Sequence, residues 1–233
     1  LEQCELLLES ARNARSLATR GSIIANAAPI VVGAPPDIID RYIDPDHGAV
    51  ESENPGILID RRPLTVWDEA AVGSVDLGIA LAPVNVSGGW TTVVSQLRQS
   101  VFASVEYAAR YEAVRSPADL EAHDCIVELN DHDHRSWRFV RGDRLMTISV
   151  NAKHVVSGLL EAREATLAGL GIARLPEYLC EPYLRSGRLV DLAPDLESAG
   201  RDVIVISPQQ RQRKNGTAAL RLFLESVFRH QAN

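Results

Sequence analysis

Apolar residues recur along this chain at two different spacings, and the spacing changes several times. In Glu2–Thr19 they fall three and four apart, at Cys4, Leu7, Leu8, Ala11, Ala14, Leu17 and Ala18. That is the stripe of an amphipathic helix. Its acidic residues come first and its basic residues last, which suits the helix dipole, and Gly21 is placed to end it. Short apolar runs between helical stretches follow. Ser22–Ala27 reads as a strand. Ala34–Ile43 reads as a helix whose first turn holds Pro35 and Pro36, where a missing N–H is tolerated. Asp44–Gly56 is rich in turn formers, Ile57–Asp60 reads as a strand, and Leu64–Val72 as a helix stopped by Gly73. Val75–Leu81 is a strand with one polar residue, Asp76, near its start. Strands without a polar face, set between amphipathic helices, predict a parallel sheet covered on both sides.

The alternation continues downstream. Ser100–Ser104 is a strand and Val105–Tyr111 a helix. In Arg115–Cys125, Ser116 reads as an N-cap, with Pro117 at the first helical position and Asp119 in the first turn. Trp137–Val150 alternates around Gly142-Asp143, the pattern of an antiparallel hairpin. Ser157–Ala168 is a helix, and "TLAGLGIARLPEYL" (Thr166–Leu179) is the junction that follows it. Gly169 closes the helix with a positive φ. Gly171 lets the backbone pass close to a neighbour, and Ile172–Leu175 is a buried strand. Pro176 starts a helix reaching Ser186, with Gly187 just beyond. Arg188–Leu192 and Asp202–Ile206 are strands. Ala218–His230 is a helix with Leu220, Phe223, Leu224, Val227 and Phe228 on one face.

Composition narrows the function classes. The chain is 45% hydrophobic and 24% charged, as expected of a globular protein, and no apolar run approaches the roughly 20 residues of a membrane helix. A net charge of −7 disfavours phosphate backbones as partners, since that affinity grows with the number of cations. Cys4, Cys125 and Cys180 show no pairing pattern and read as small buried hydrophobes in a reducing, cytoplasmic setting. Asp131, His132, Asp133 and His134 are of metal-ligand type, but their spacing fixes no third ligand, so no metal site is expected. Without a nucleophile motif or a phosphate-binding glycine loop, neither catalysis nor a cofactor is expected. The first residues lack the basic and apolar regions of a secretory signal. A start at Leu1, inside a helical pattern, reads as a partial chain.

Four blocks occur in order: "SPADLEAHDCI", "SWRF", "EATLAGLGIARLPEYL" and "LRSGRLVDL". With "SVDLGIA" (Ser74–Ala80) and "FASVEYAAR" (Phe102–Arg110) upstream, they resemble the effector-binding domain of LysR-type transcriptional regulators from about Gly21 to Phe228. The resemblance implies an α/β, periplasmic-binding-protein-like fold of two Rossmann-like subdomains joined by two crossover strands. Residues 1–20 would be the linker helix, 21–99 with 205–233 the first subdomain, and 100–204 the second. It also implies a winged helix-turn-helix that this sequence does not contain, through which alone DNA would be bound. The other implied partners are a small-molecule effector, a carboxylate among the candidates, and a second copy in an antiparallel homodimer (a tetramer at full length).

The same resemblance suggests where the effector would lie. Ala27, Ala28, Pro29 and Ile30 belong to "AAPIVVG" (Ala27–Gly33), matched to the loop after the first strand, where a helix N-terminus would hold an anion. Ala27 and Val31 stand where many relatives have a hydroxyl, so either backbone N–H groups alone hold an anion or the effector is less polar. Arg61 and Arg62 would follow the second strand and could grip a carboxylate, or form a solvated surface pair. Ser157 would be a pocket contact, an ordinary N-cap, or both at once. Ser104 and Arg174 sit at strand ends expected near the cleft, with a structural salt bridge as the other role open to Arg174. Ala80 stands where some relatives carry an arginine. Two rival readings remain: a solute-binding receptor for transport, and an enzyme on the same scaffold, for which no acid–base pair is evident.

Overall fold

The computed structural model describes residues 28–44, 57–81, 84, 87, 89–111, 114–129, 135–141, 144–209 and 216–231. The expected helix Glu2–Thr19, the strand Ser22–Ala27, most of the turn-rich stretch after Asp44, and Asp131–His134 lie outside them.

The first sheet has the order β2-β1-β3-β13-β4. β1 (Ile30–Ala34) and β3 (Leu77–Ala80) are wholly buried, and β2 (Ile59–Pro63) is an edge. These three run parallel, with Ile30 opposite Ile59 and Gly33 opposite Gly78. β4 (Gly89–Leu97) and β13 (Arg201–Pro208) are antiparallel to each other, and β13 is antiparallel to β3. The sheet is therefore mixed, not wholly parallel as the apolar runs suggested. Burial on both faces dictates an apolar strand but not its direction.

The second sheet has the order β11-β5-β10-β6-β9. Its strands are β5 (Gln99–Ser104), β6 (Cys125–Glu128), β9 (Ala152–Val156), β10 (Ile172–Pro176) and β11 (Leu189–Asp191). β6, β9 and β10 run parallel, and β5 opposes β10 and β11. β7 (Ser136–Arg141) and β8 (Arg144–Ser149) form the expected hairpin, extended by β12 (Glu197–Ser198). Two connections join the main sheets, one at Arg98 between β4 and β5 and one at Arg201, where β13 begins. A division at residue 204 falls inside β13.

The helices are α1 (Pro36–Ile38, continued as a π turn over Ile39–Ile43), α2 (Glu69–Ser74), α3 (Val105–Ala108), α4 (Leu159–Leu167), α5 (Glu177–Arg185) and α6 (Thr217–Gln231). A 3₁₀ turn spans Pro117–Ala122, where Asp119 accepts the Ser116 N–H at 2.8 Å. α2 starts later than Leu64 because Pro63 still belongs to β2, and Asp68 caps the helix by accepting the Ala71 N–H at 2.7 Å. The buried face of α6 carries Leu220, Leu224, Val227 and Phe228, which pack with Ile38 and Tyr42 of α1 in one core cluster. Gly169 and Gly187 close α4 and α5 with φ of 72° and 69°. At Gly171 a Cβ would lie 2.2 Å from the Asp124 carbonyl oxygen, so only glycine lets β10 start there. Cys125 and Cys180 are buried free thiols, and burial pushes each up to about 12.

Candidate functional site

The two main sheets face one another with the carboxyl ends of their parallel strands, where open α/β sheets bind ligands. The first sheet contributes Pro35 and Asp37 after β1, Thr65 and Trp67 after β2, and Ala80 and Leu81 at the end of β3. From the other side come Glu128 at the end of β6, Gly158 and Leu159 at the start of α4, and Arg201. The cavity between them is about 60 Å³, room on the order of two water molecules. A metabolite requires several times that, so these residues describe a closed cleft.

Two polar contacts span the closure. Tyr178 of α5 donates its hydroxyl to Asp37 Oδ2 of α1. Burial pushes the Asp37 carboxyl up, while the Tyr178 hydroxyl and its own backbone N–H pull it partly back. Burial and the Asp37 carboxylate together push the Tyr178 phenol far up, so the phenol keeps its proton and acts as donor. Arg201 makes the second contact. Its Nε donates to the Leu81 carbonyl at 2.7 Å, and its Nη1 pairs with Glu128 Oε2 at 2.5 Å. Both side chains of that ion pair are only about a tenth exposed, at 10% and 11%.

Trp67 is held by absences in two strands. Gly33 and Gly78 are register partners in β1 and β3. A Cβ on Gly78 would lie 2.4 Å from the indole ring, and one on Gly33 would lie 3.0 Å away. The ring fills the slot these glycines leave, and its Nε1 is buried with no hydrogen-bond partner among the described residues.

The residues expected at the site are distributed differently. Ala27 lies outside the described residues. "IVVGA" is strand β1 itself rather than the loop after it, so exposed Ala28 and Pro29 and buried Ile30 lie at its amino end, away from the cleft. The loop that opens α1 is Pro35–Asp37. Arg61 and Arg62 lie within edge strand β2, not beyond it, and pair on the surface with Asp44 at 2.6 Å and Asp60 at 3.0 Å. Ser104 caps α3, accepting the Tyr107 N–H at 3.1 Å. Because β5 runs antiparallel to β10, Ser104 falls at the end of the sheet away from the cleft. Ser157 precedes the N-cap, which is Gly158; its N–H and hydroxyl both reach Glu161 Oε2, at 2.9 and 2.6 Å. Arg174 comes nearest, lining a small void with Glu128 and Arg201 and reaching the Arg138 carbonyl at 3.5 Å.

Asp37, Trp67, Glu128, Tyr178 and Arg201 were not anticipated. An acid directly after Pro-Pro, and a glycine inside each of two apolar strands, were the available signals.

Known proteins share this architecture. The regulatory domain of CrgA, a LysR-type transcriptional regulator from Neisseria meningitidis, superposes with a TM-score of 0.70 at 18% identity, covering 88% of this chain and 98% of that one. The full-length Vibrio cholerae virulence activator AphB gives 0.68 at 19% identity, covering 97% and 77%. In sequence, the Escherichia coli (strain UTI89) HTH-type transcriptional activator TtdR is 28% identical over 160 residues, covering 67% of this chain. The chain spans half of TtdR's length, 50%. These likenesses establish a periplasmic-binding-protein-like α/β fold. The family model described as the LysR substrate binding domain matches residues 26–230, and the chain belongs to that family.

Proposed function

We propose that this chain is the effector-sensing part of a cytoplasmic DNA-binding transcriptional regulator, and that a small molecule binds in the cleft between its two halves. The halves are residues 21–99 with 205–233 and residues 100–204, hinged at Arg98 and near Arg201. The observation that carries this reading is the cleft itself. It is formed by strand carboxyl ends from both sheets and closed by Tyr178–Asp37 and Arg201–Glu128. A ligand shifts such an equilibrium only by binding one state better than the other. A molecule that takes Asp37 away from Tyr178 meets that requirement. In a dimeric regulator the resulting change would reorient the attached DNA-binding domains.

The test is agnostic to ligand chemistry. The chain is heated with pooled low-molecular-mass fractions of a bacterial extract, beside a Thr65→Trp variant that blocks the mouth of the cleft. A fraction that raises Tm for the parent and not for the variant supports the reading. A rise equal in both, or none with any fraction, counts against it. The same chain should not bind promoter DNA tightly at physiological salt, given its net charge of −7. Fluorescence anisotropy checks this directly, and tight sequence-specific binding would overturn the division of labour.

A further inference from the structure

The α1 side of the cleft has the wrong polarity for an anion. Helix N-termini attract anions through free N–H groups and the dipole. Here Pro35 is the N-cap of α1 and Pro36 its first residue, so neither has an N–H to offer. The next residue, Asp37, puts a carboxylate where an anion would have to sit. Ala80, at the end of β3, adds no cation. The arginine that lines the cavity, Arg201, is already committed to Glu128 and to the Leu81 carbonyl.

On the α1 side two groups remain for a guest. The Asp37 carboxylate, 7% exposed, has acceptor capacity beyond the hydrogen bond from Tyr178. The Trp67 indole N–H is a buried donor with no partner among the described residues. An anion here would set like charges close together in a medium that screens poorly. An ammonium group would instead let each ion offset the other's loss of water, and an oxygen on the same molecule would satisfy the indole.

We propose that this cleft binds a small amine, its ammonium group against Asp37 and an oxygen acceptor against Trp67 Nε1, and that it discriminates against carboxylates. The inference rests on reading the cleft as the effector site. The closed cavity of about 60 Å³ is too small for such a molecule, so binding it requires the contact between Tyr178 and Asp37 to open.

The experiment follows the tryptophan indole N–H signals of ¹⁵N-labelled chain by NMR, with Trp67→Phe identifying the relevant signal. The probes are 2-aminoethanol and 3-aminopropanamide, against glycolate and 3-hydroxypropionate at matched ionic strength. The expected result is that the amines shift the Trp67 signal with at least tenfold lower Kd than the carboxylates. Asp37→Asn, nearly isosteric, should erase that preference. Trp67→Phe, which keeps one aromatic ring and loses the donor, should weaken the amines several-fold, read from the backbone signals of Gly158 and Leu159. If carboxylates shift the Trp67 signal as readily as amines, the ligand class is wrong and the cleft reading survives. If no amine shifts it, the proposal falls, and the extract screen with Thr65→Trp decides separately whether the cleft reading falls too. Amine binding unaffected by Asp37→Asn also overturns it.

Discussion

Removing one oxygen atom tests how the cleft is held shut. Tyr178→Phe deletes the hydroxyl that reaches Asp37 and leaves the ring, which packs edge-on against Tyr42 with centroids 5.5 Å apart. A hydrogen bond to an ionised group contributes roughly 1.5–3 kcal/mol, against roughly 0.5–1.5 for a neutral pair. For a chain of this size that is a fall in Tm of about 3 to 12 °C. In an Asp37→Asn background the acceptor is neutral, so the same substitution should cost about half as much. The pH dependence has a definite sign. Burial raises the Asp37 carboxyl above its ordinary 3.8, so the folded state holds that proton more tightly than the unfolded chain does. Its contribution to stability is greatest below 3.8 and is lost as pH rises through the folded value. The Tyr178 hydroxyl pulls that value down. The variant therefore pushes it higher, and the cost of Tyr178→Phe should grow as pH rises across the acid range. Urea denaturation of the four chains at several pH values measures all of this. An equal cost in both backgrounds, or one that does not change with pH, would refute a charge-assisted contact across the cleft.

Other substitutions probe the surroundings of the same site. Gly78→Ala drives a methyl to 2.4 Å from the Trp67 ring and should cost about 1–3 kcal/mol by overpacking. Gly73→Ala, with open space around it, should leave Tm unchanged or slightly higher, so a similar loss in both would count against the indole slot. Arg201→Met removes the cation that pairs with a nearly buried Glu128 and should cost about 3–5 kcal/mol, with much of the loss recovered when Glu128→Met is added; an unrecovered double variant would mean the pair is not the cause. Burial lowers His123 below its ordinary 6.5, against the opposing pull of Asp119 and Asp124. Its share of stability is present above 6.5 and lost as pH falls through the folded value, so thermal melts of His123→Gln should show a shallower loss there than the parent.

The chain announced its buried strands more clearly than its site. "IARLP" and "LGIA" are apolar apart from Arg174 and stand where the pattern put them, and Gly169, Gly171 and Gly187 do what their positions required. β4 went unanticipated because an edge strand with exposed Trp90 and Val93 lacks an apolar run. Which loop is matched to the effector site depends on a choice between neighbouring apolar runs, Ser22–Ala27 and Ile30–Ala34. Periodicity cannot tell which of two such runs leads into the loop of interest. What anchors the second is distant in sequence, since Asp76 Oδ2 accepts the Val31 N–H at 2.7 Å. Once β1 is set at Ile30, the residues that open α1 become Pro35–Asp37, and the chemistry on that side of the cleft changes from backbone donors to a carboxylate. Ser104 lies away from the cleft for a related reason, because strand direction is a property of the sheet rather than of the strand.

The two links between the halves are not independent tethers. Arg201–Val203 pair only with Leu97, Gln96 and Ser95 of β4, whereas Ile204–Ile206 also pair with β3, and the register slips between Val203 and Ile204. The irregularity thus lies where a sheet narrows to a two-stranded ribbon. Such ribbons are the most strongly coiled form of sheet, and a bulge adds to that coiling. If the halves move about this ribbon, its coiling would add a turn to the swing. A partner fixed to this domain would receive torque rather than a push, and its geometry would decide which direction of turn is productive.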